Sequence, residues 1–128
     1  MRWLLWLVLS VASSQACAAW IRIGRTEDSN VYADPSSIKR SGRFVTLSTL
    51  TDYTAPQLFQ GNAYHSYQAQ WEYDCTNPKR EILVSVTHYR GNMGKGGTVA
   101  PAQFLEEWDP VIPKRLAEGQ WRFACTTK

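Results

Sequence analysis

Residues 67–75 read YQAQWEYDC and alternate strictly between two kinds of side chain. The odd-numbered positions are aromatic, small or sulfur-containing and end at Cys75, whereas the even-numbered positions are amides and carboxylates. A period of two residues is typical of a strand with one face packed and the other in water, as in antiparallel sheets. The alternation therefore predicts such a strand and turns Cys75 toward a core.

The segments around this strand also have strand character. Residues 80–90 follow a predicted turn at 76–79, so the two runs should form a hairpin. The apolar members of the second run and His88 share one parity, which predicts that they share one face: Ile82, Val84, Val86 and His88. Other predicted strands are 20–23, 31–34, 43–53 and, as a last short piece, 98–100. In 43–53 the alternation slips near Ser48, where a bulge would restore one apolar face.

The C-terminal segment allows two secondary structures. Ala117, Trp121 and Ala124 recur at helical spacing, which predicts a helix over residues 114–124. Trp121, Phe123 and Cys125 also alternate, so a terminal strand is the alternative. Residues 104–108 fit neither pattern clearly.

The first eighteen residues have the layout of a secretory signal peptide. A short basic start precedes an apolar run over residues 3–11, and small residues follow. Ala16 and Ala18 fit the small-x-small rule of signal peptidase, so cleavage would leave one domain of residues 19–128. The apolar run is too short for a permanent membrane helix, and no later segment is apolar enough to be a transmembrane segment.

Export also sets the expected state of the three cysteines. Cys17 leaves with the signal peptide or, in the alternative interpretation, carries a lipid anchor, although the residues before it make a poor lipobox. Cys75 and Cys125 remain, and a disulfide is the expected state in an oxidising compartment. A reactive or metal-binding pair would need CxxC-type spacing or histidine neighbours, which neither cysteine has.

Composition limits the function classes. The 128 residues are 44% hydrophobic and 20% charged, so the chain should fold, and its length suits one domain. The formal net charge of +3 is too small for a nucleic-acid-binding protein, which normally has a dense basic stripe.

Several residue groups occur in an order that belongs to a known family. They are Val31-Tyr32-Ala33-Asp34 with Ser37-Ile38, Tyr64 and Ser66, Glu72-Tyr73-Asp74-Cys75, Met93-Gly94, Trp108-Asp109-Pro110-Val111-Ile112-Pro113, and Cys125. In these groups the chain resembles the surface-adhesin protein E-like family, which comprises small exported proteins of Gram-negative bacteria. The resemblance implies an α+β fold, with an antiparallel sheet of about six strands packed by a C-terminal helix. It also implies that the Cys75–Cys125 disulfide joins sheet to helix.

The family's namesake is an outer-membrane lipoprotein that binds host extracellular-matrix and serum proteins. The resemblance thus implies a non-enzymatic binding module, without a cofactor, in the periplasm or at the cell surface. A host matrix or serum protein is its expected partner. The alternative is a periplasmic inhibitor or assembly factor without a host-binding role. Open sheet edges also make a homodimer an expectation.

Two groups of residues are candidate binding residues. Lys39, Arg40 and Arg43 surround a predicted turn and form the densest basic cluster in the chain. If this turn meets the one at residues 76–79, the two would present a patch for acidic glycans or acidic protein loops; charged turns that merely aid solubility are the alternative. Leu58 and Phe59 lie in a predicted loop over 54–62, where they would anchor a partner or fold back onto the core.

The sequence offers little for catalysis or metal binding. His65 and His88 are the only histidines, and no nucleophile has a base at a recognisable spacing. His88 is expected in the core, and an acid–base pair of the two histidines is the less favoured alternative. Glu72 and Asp74 are expected on a solvated sheet face. A phosphate-binding loop needs a lysine directly after its last glycine, and the glycine-rich segment 91–97 has Gly97 in that place. The segment is therefore predicted to be a mobile hairpin loop.

Overall fold

A computed structural model describes residues 19–105 and 107–127 as an antiparallel sheet crossed by one helix. The strands are β1 (Ile21–Arg25), β2 (Ser29–Ser41), β3 (Phe44–Phe59), β4 (Asn62–Asp74), β5 (Arg80–Tyr89), β6 (Gln103–Phe104) and β7 (Trp108–Pro110). The helix α1 covers Leu116–Thr126. The first five strands neighbour one another in chain order, and β6 and β7 both pair with the outer side of β5. The predicted α+β fold is confirmed. The predicted signal peptide, with Cys17, lies outside the described residues.

The alternation in residues 67–75 does set one packed face of β4. Tyr73 pairs with Val45 of β3, and Trp71 pairs with Leu47. Burying large apolar side chains of this kind stabilises the fold by about 1.5–3 kcal/mol each. The helix closes the same face, and the core cluster consists of Ala33, Val45, Leu47, Tyr73 and Ala124.

The single apolar parity predicted for residues 80–90 is wrong. Trp71 of β4 pairs with Leu83, but the preceding Gln70 pairs with Ser85, so Val84 is an extra residue in β5. Such a bulge reverses the faces to which the following side chains point. Val86 therefore shares the helix face with Ala69, whereas Ile82 pairs with Glu72 on the opposite face.

The bulge predicted near Ser48 lies across the ladder instead, in β2. Asp34 pairs with Ser48 and Lys39 pairs with Thr46, so the residues between Asp34 and Lys39 form the irregularity. The Asp34 carboxylate accepts hydrogen bonds from the backbone N–H and the hydroxyl of Ser36, at 3.0 and 2.6 Å. Aspartate and serine side chains favour such local hydrogen bonds over a regular ladder.

The C-terminal segment is helical, which excludes the alternative of a terminal strand. Two polar contacts and one covalent bond hold the helix to β4 and the residue after it. The indole of Trp121 donates to the backbone carbonyl of Asp74 at 2.8 Å, and the hydroxyl of Tyr73 donates to Oε1 of Gln120 at 3.2 Å. The disulfide between Cys75 and Cys125 spans a Cα–Cα distance of 5.6 Å. Within the described ranges, no helix is both long and apolar enough to cross a bilayer.

Residues 98–110 run along β5 as an interrupted edge strand. Thr98 forms a single bridge with Tyr89 at the end of β5, and β6 and then β7 pair with two separate, earlier parts of the same strand. Pro101 lies in the gap between the bridge and β6, and a proline cannot donate a ladder hydrogen bond. Of the residues 104–108 that the sequence pattern left open, Phe104 ends β6 and Trp108 begins β7.

Candidate functional site

β3 and β4 extend beyond their neighbours as a two-stranded arm. β2 pairs with β3 as far as Tyr53, and β5 pairs with β4 from Ser66 onward. Beyond these positions, the only ladder pairs that the structure describes within residues 54–65 join Gln57, Leu58 and Phe59 to Tyr64, Ala63 and Asn62. We call residues 54–65 the arm. Its outer strand edges offer backbone groups that no strand of the sheet covers.

The arm carries no charge, although a fifth of the chain is charged. Its sequence is TAPQLFQGNAYH, without lysine, arginine, aspartate or glutamate. Leu58 is 75% exposed, the largest exposed fraction among the large hydrophobic side chains described. The cores of protein–protein interfaces are depleted of charged residues and enriched in aromatic ones. The arm therefore has the composition of a contact surface.

An aromatic cluster fixes the arm to the sheet. The ring of Phe59 stacks on the imidazole of His88 with 4.0 Å between centroids and 9° between planes. Tyr64 meets the same imidazole edge-on at 4.7 Å, and Tyr67 lies 5.8 Å away. Burial within this cluster lowers the pKa of His88, so its imidazole is neutral at pH 7.

The loop predicted over residues 54–62 is wrong for most of its length. Leu58 and Phe59 lie in β3, and the turn itself is Gln60 and Gly61, both with positive φ. Two residues of this conformation suit the twist of a tight hairpin. The two candidate residues have different surroundings, because Phe59 stacks on His88 whereas Leu58 is exposed.

Hydrogen bonds hold the base of the arm on both sides. On one side, the backbone N–H of Thr54 donates to the carbonyl oxygen of Asp28 at 2.9 Å. On the other side, Nδ1 of His65 lies 2.8 Å from the carbonyl oxygen of Arg90. Both strands of the arm are therefore hydrogen-bonded to the rest of the protein at their base.

The glycine-rich segment, predicted to be a mobile loop, is hydrogen-bonded to the sheet beside the arm. The hydroxyl of Ser66 donates to the carbonyl of Gly91 at 2.7 Å and accepts from the N–H of Gly94 at 2.9 Å. The N–H of Met93 donates to Oδ1 of Asp52 at 2.7 Å. Gly94 has φ of +71°, and a Cβ there would lie 2.8 Å from Nε2 of Gln68, so a side chain is disfavoured. Sequence reasoning missed Ser66 and Asp52 as partners of this segment, because they lie 25 and 41 residues before Gly91 and Met93 in the chain.

A cleft opens on the helix face at the base of the arm. It has a volume of about 330 Å³, and its lining includes Asp28, Tyr53, Gln57, Tyr67, Leu116 and Gln120. The rings of Tyr53 and Tyr67 lie 6.2 Å apart between centroids. Burial raises the pKa of Tyr53, and the nearby hydroxyls of Tyr67 and Tyr64 and the carboxylate of Asp28 add to the rise. No sequence pattern pointed to this cleft, because its residues come from β2, β3, β4, the helix and the turn before β2.

The basic candidates Lys39, Arg40 and Arg43 lie at the opposite end of the sheet from the arm, and both arginines contact other parts of the protein. Nη2 of Arg40 donates to the carbonyl of Cys125 near the C-terminus of α1 at 2.6 Å, where a cation is favourable. Arg43 pairs with Asp74 at 3.3 Å, and Arg80 pairs with the same carboxylate at 2.6 Å. The turn of Lys39, Arg40 and Arg43 therefore does meet the turn before Arg80.

The solvated position predicted for Asp74 is wrong. Asp74 is 1% exposed, and its carboxylate also accepts hydrogen bonds from the hydroxyl and the backbone N–H of Thr76. The hydroxyl of Thr76 and the guanidinium of Arg80 hold the pKa of Asp74 far below its usual range, and Arg43 adds to the effect. Arg43 and Arg80 are thus committed to an internal ion pair, which reduces the positive potential of the predicted patch.

The two histidines and the metal-binding residue types were candidates for chemistry in the sequence. The described residues contain no group of three histidine, cysteine or carboxylate side chains that could hold a metal ion. His65 contacts a backbone carbonyl and His88 contacts aromatic rings, so the two histidines have separate environments.

Comparisons with known proteins agree with the architecture. A family model described as surface-adhesin protein E matches residues 20–126. Two solved structures of Haemophilus influenzae protein E resemble this fold at 14% sequence identity: one has a TM-score of 0.66, covering 87% of this chain and 86% of that chain, and a second crystal form has 0.68, covering 87% and 90%. Protein E from non-typeable Haemophilus influenzae gives a TM-score of 0.64 at 15% identity, covering 88% and 78%. At these identities the likeness shows a shared fold. No curated protein sequence gives a significant match.

Proposed function

The chain belongs to the surface-adhesin protein E family, and on that basis we propose that it is an exported, non-enzymatic module that binds a protein partner through its arm. The observation that carries this proposal is the arm itself, which is uncharged, extends beyond β2 and β5 as a pair of strands and exposes Leu58. An exposed apolar side chain on an ordered scaffold can enter a partner's pocket and contribute a large share of the binding energy.

The fixed base of the arm supports the same function. Binding costs free energy whenever a flexible segment must become ordered, so a segment that is already ordered binds more tightly with the same contacts. The stacking of Phe59 on His88 and the hydrogen bond from Thr54 to Asp28 order the arm before any partner arrives. Leu58 can then make contact without rearrangement of the sheet.

The direction of β1 suits presentation of the arm. β1 ends at Arg25, which pairs with Asn30, and the neighbouring Ser29 pairs with Tyr53 at the base of the arm. β1 begins at Ile21, farther from the arm along the sheet. A chain held at the cell surface from its N-terminal side would therefore direct the arm outward. We place the protein on the outer membrane of a Gram-negative bacterium, with a host extracellular-matrix or serum protein as the partner.

The test compares two exposed apolar residues of equal accessibility. Leu58 on the arm is 75% exposed and Phe104 on β6 is 74% exposed, so aspartate at either site should leave the fold intact. The exported protein is immobilised, and the capture of serum and matrix proteins is measured for the wild type, Leu58→Asp and Phe104→Asp. We expect Leu58→Asp to weaken capture at least tenfold, since a hot-spot residue contributes about 2 kcal/mol or more.

Phe104→Asp should capture its partners as the wild type does. Equal capture by all three proteins would contradict the role of the arm. Localisation is tested separately with protease added to intact cells, which should degrade a surface protein. Survival of the protein would favour the alternative of a periplasmic inhibitor or assembly factor.

A further inference from the structure

The cleft at the base of the arm has a distinct chemical character. Asp28 contributes a carboxylate to its lining, and Tyr53 and Tyr67 contribute aromatic rings. Gln57 and Gln120 contribute amides, and none of the described lining residues is a lysine or arginine. The adjoining polar cleft includes Arg25 and Glu27, whose opposite charges cancel. The cleft therefore has an excess of negative charge beside aromatic surface.

Asp28 is available to an incoming group. It is exposed, its carboxylate accepts one hydrogen bond from the hydroxyl of Thr26 at 2.9 Å, and no ion pair joins it to a cation within the described ranges. Its backbone carbonyl, in contrast, holds Thr54 at the base of the arm. A partner's charge placed on this carboxylate would displace no internal ion pair.

The combination of a carboxylate with tyrosine rings suits one class of side chain. A guanidinium or ammonium group gains from a carboxylate through charge and from an aromatic ring through the ring's quadrupole. The apolar stem of the same side chain could lie against Leu116, which also lines the cleft. Because the cleft is open, it can accept a side chain that projects from a protein surface.

We propose that this cleft receives a cationic side chain, arginine or lysine, of the protein partner, held between the carboxylate of Asp28 and the rings of Tyr53 and Tyr67. The inference rests on the proposed function, because Gln57 places the cleft at the base of the arm. Leu58 would supply the apolar contact, and the cleft would select partners with a basic residue beside the apolar site.

The test uses small probes that isolate the cationic group. The peptide acetyl-Gly-Arg-Gly-amide is titrated into the isotope-labelled exported protein, and amide chemical shifts are followed by NMR. The matched control is the same peptide with citrulline, which keeps the shape of arginine but has no charge. We expect saturable shifts at residues around Tyr53, Tyr67 and Leu116 for arginine, weaker at high salt, and none for citrulline at the same concentration.

Two variants test the groups assigned to the site. Asp28→Asn removes the charge from an exposed side chain and should weaken binding of the arginine peptide about two- to fivefold, as expected for an exposed ion pair. Asp109→Asn removes an exposed carboxylate from β7 and should leave binding unchanged. Gln57→Lys places a fixed cation in the cleft and should weaken binding by repulsion, independently of any effect of Asp28→Asn.

The outcomes separate this inference from the proposed function. Equal chemical-shift changes with the arginine and citrulline peptides would overturn the cleft assignment. So would binding of the arginine peptide that neither Asp28→Asn nor Gln57→Lys weakens. If the capture of partners still depends on Leu58 in that case, the role of the arm stands without the cleft. If the arginine peptide binds as expected but Leu58→Asp captures partners normally, the cleft stands and the role of the arm fails.

Discussion

Asp74 concentrates much of the electrostatics at the end of the sheet opposite the arm. Its buried carboxylate pairs with Arg80 and Arg43 and accepts the hydroxyl of Thr76. Because these groups favour the ionised form, the pKa of Asp74 is lower in the folded state than in the unfolded state. Such a group stabilises the fold above its unfolded pKa, and the stabilisation is lost as pH falls below about 4 toward the folded pKa.

This linkage predicts the effect of Asp74→Asn. The variant should unfold at a lower urea concentration than the wild type at pH 7, because Arg80 and Arg43 lose their shared partner. Its urea midpoint should also fall less steeply than that of the wild type between pH 5 and pH 2, a window of about three units around the unfolded pKa. The measurement is urea unfolding followed by tryptophan fluorescence across this range.

Glu72→Gln is the matched control for this prediction. Glu72 lies two residues earlier on the same strand and forms no ion pair with a described residue. The urea midpoint of Glu72→Gln should depend on pH as that of the wild type does. An Asp74→Asn variant with an unchanged pH profile would show that the ion pairs do not stabilise the fold.

Among the elements, the arm makes its closest aromatic contact with β5. The stacking of Phe59 on His88 is the closest aromatic pair in the described residues, and such pairs contribute about 0.5–1.5 kcal/mol beyond the burial of their surface. The remainder of the sheet does not rely on this contact, because its core cluster lies beneath α1. Loss of the contact should therefore loosen the arm locally.

We expect Phe59→Ala to increase amide hydrogen exchange in residues 54–65 by about three- to tenfold. The urea midpoint should change much less, since the arm opens without global unfolding. Phe104→Ala, an exposed aromatic on β6, is the control and should leave exchange in the arm unchanged. Exchange in the arm that does not respond to Phe59→Ala would mean that the hydrogen bonds at its base suffice to order it.

The sequence predicted some elements accurately and missed others. The strict alternation of residues 67–75 set the packed face of β4, and helical spacing predicted α1 to within two residues at each end. The arm was missed because Pro56, Gly61 and Asn62 are turn-forming residues and its strands show no alternation. In a strand pair that fully buries neither face, apolar and polar side chains need not alternate. The bulge at Val84 was missed because it arises from the pairing of β5 with β4, which the pattern of β5 alone does not contain.

In the molecule as a whole, the disulfide joins the C-terminal segment of α1 to the residue after β4. The bond between Cys75 and Cys125 joins residues 50 positions apart, and a closed loop of this length stabilises the fold by about 4 kcal/mol in the chain-entropy model. Arg40 adds a contact from β2 to the end of α1. The family and the covalent frame were predictable from sequence, but the cleft was not, because its lining residues meet only in the folded chain.

The arrangement divides the molecule into two ends with different roles. Ion pairs of Asp74, the disulfide and the end of α1 lie at one end of the sheet. The uncharged arm and the cleft lie at the other end. We infer that the first end maintains the fold and that the second end contacts the partner.

A hydrogen-exchange footprint of the protein bound to a captured partner tests this division most directly. We expect slower exchange in residues 54–65 and at the cleft, around Asp28 and Tyr53, with no change at the turn that carries Arg40 and Arg43. Protection confined to that basic turn or to the β7 edge, with the arm exchanging as in the free protein, would contradict it.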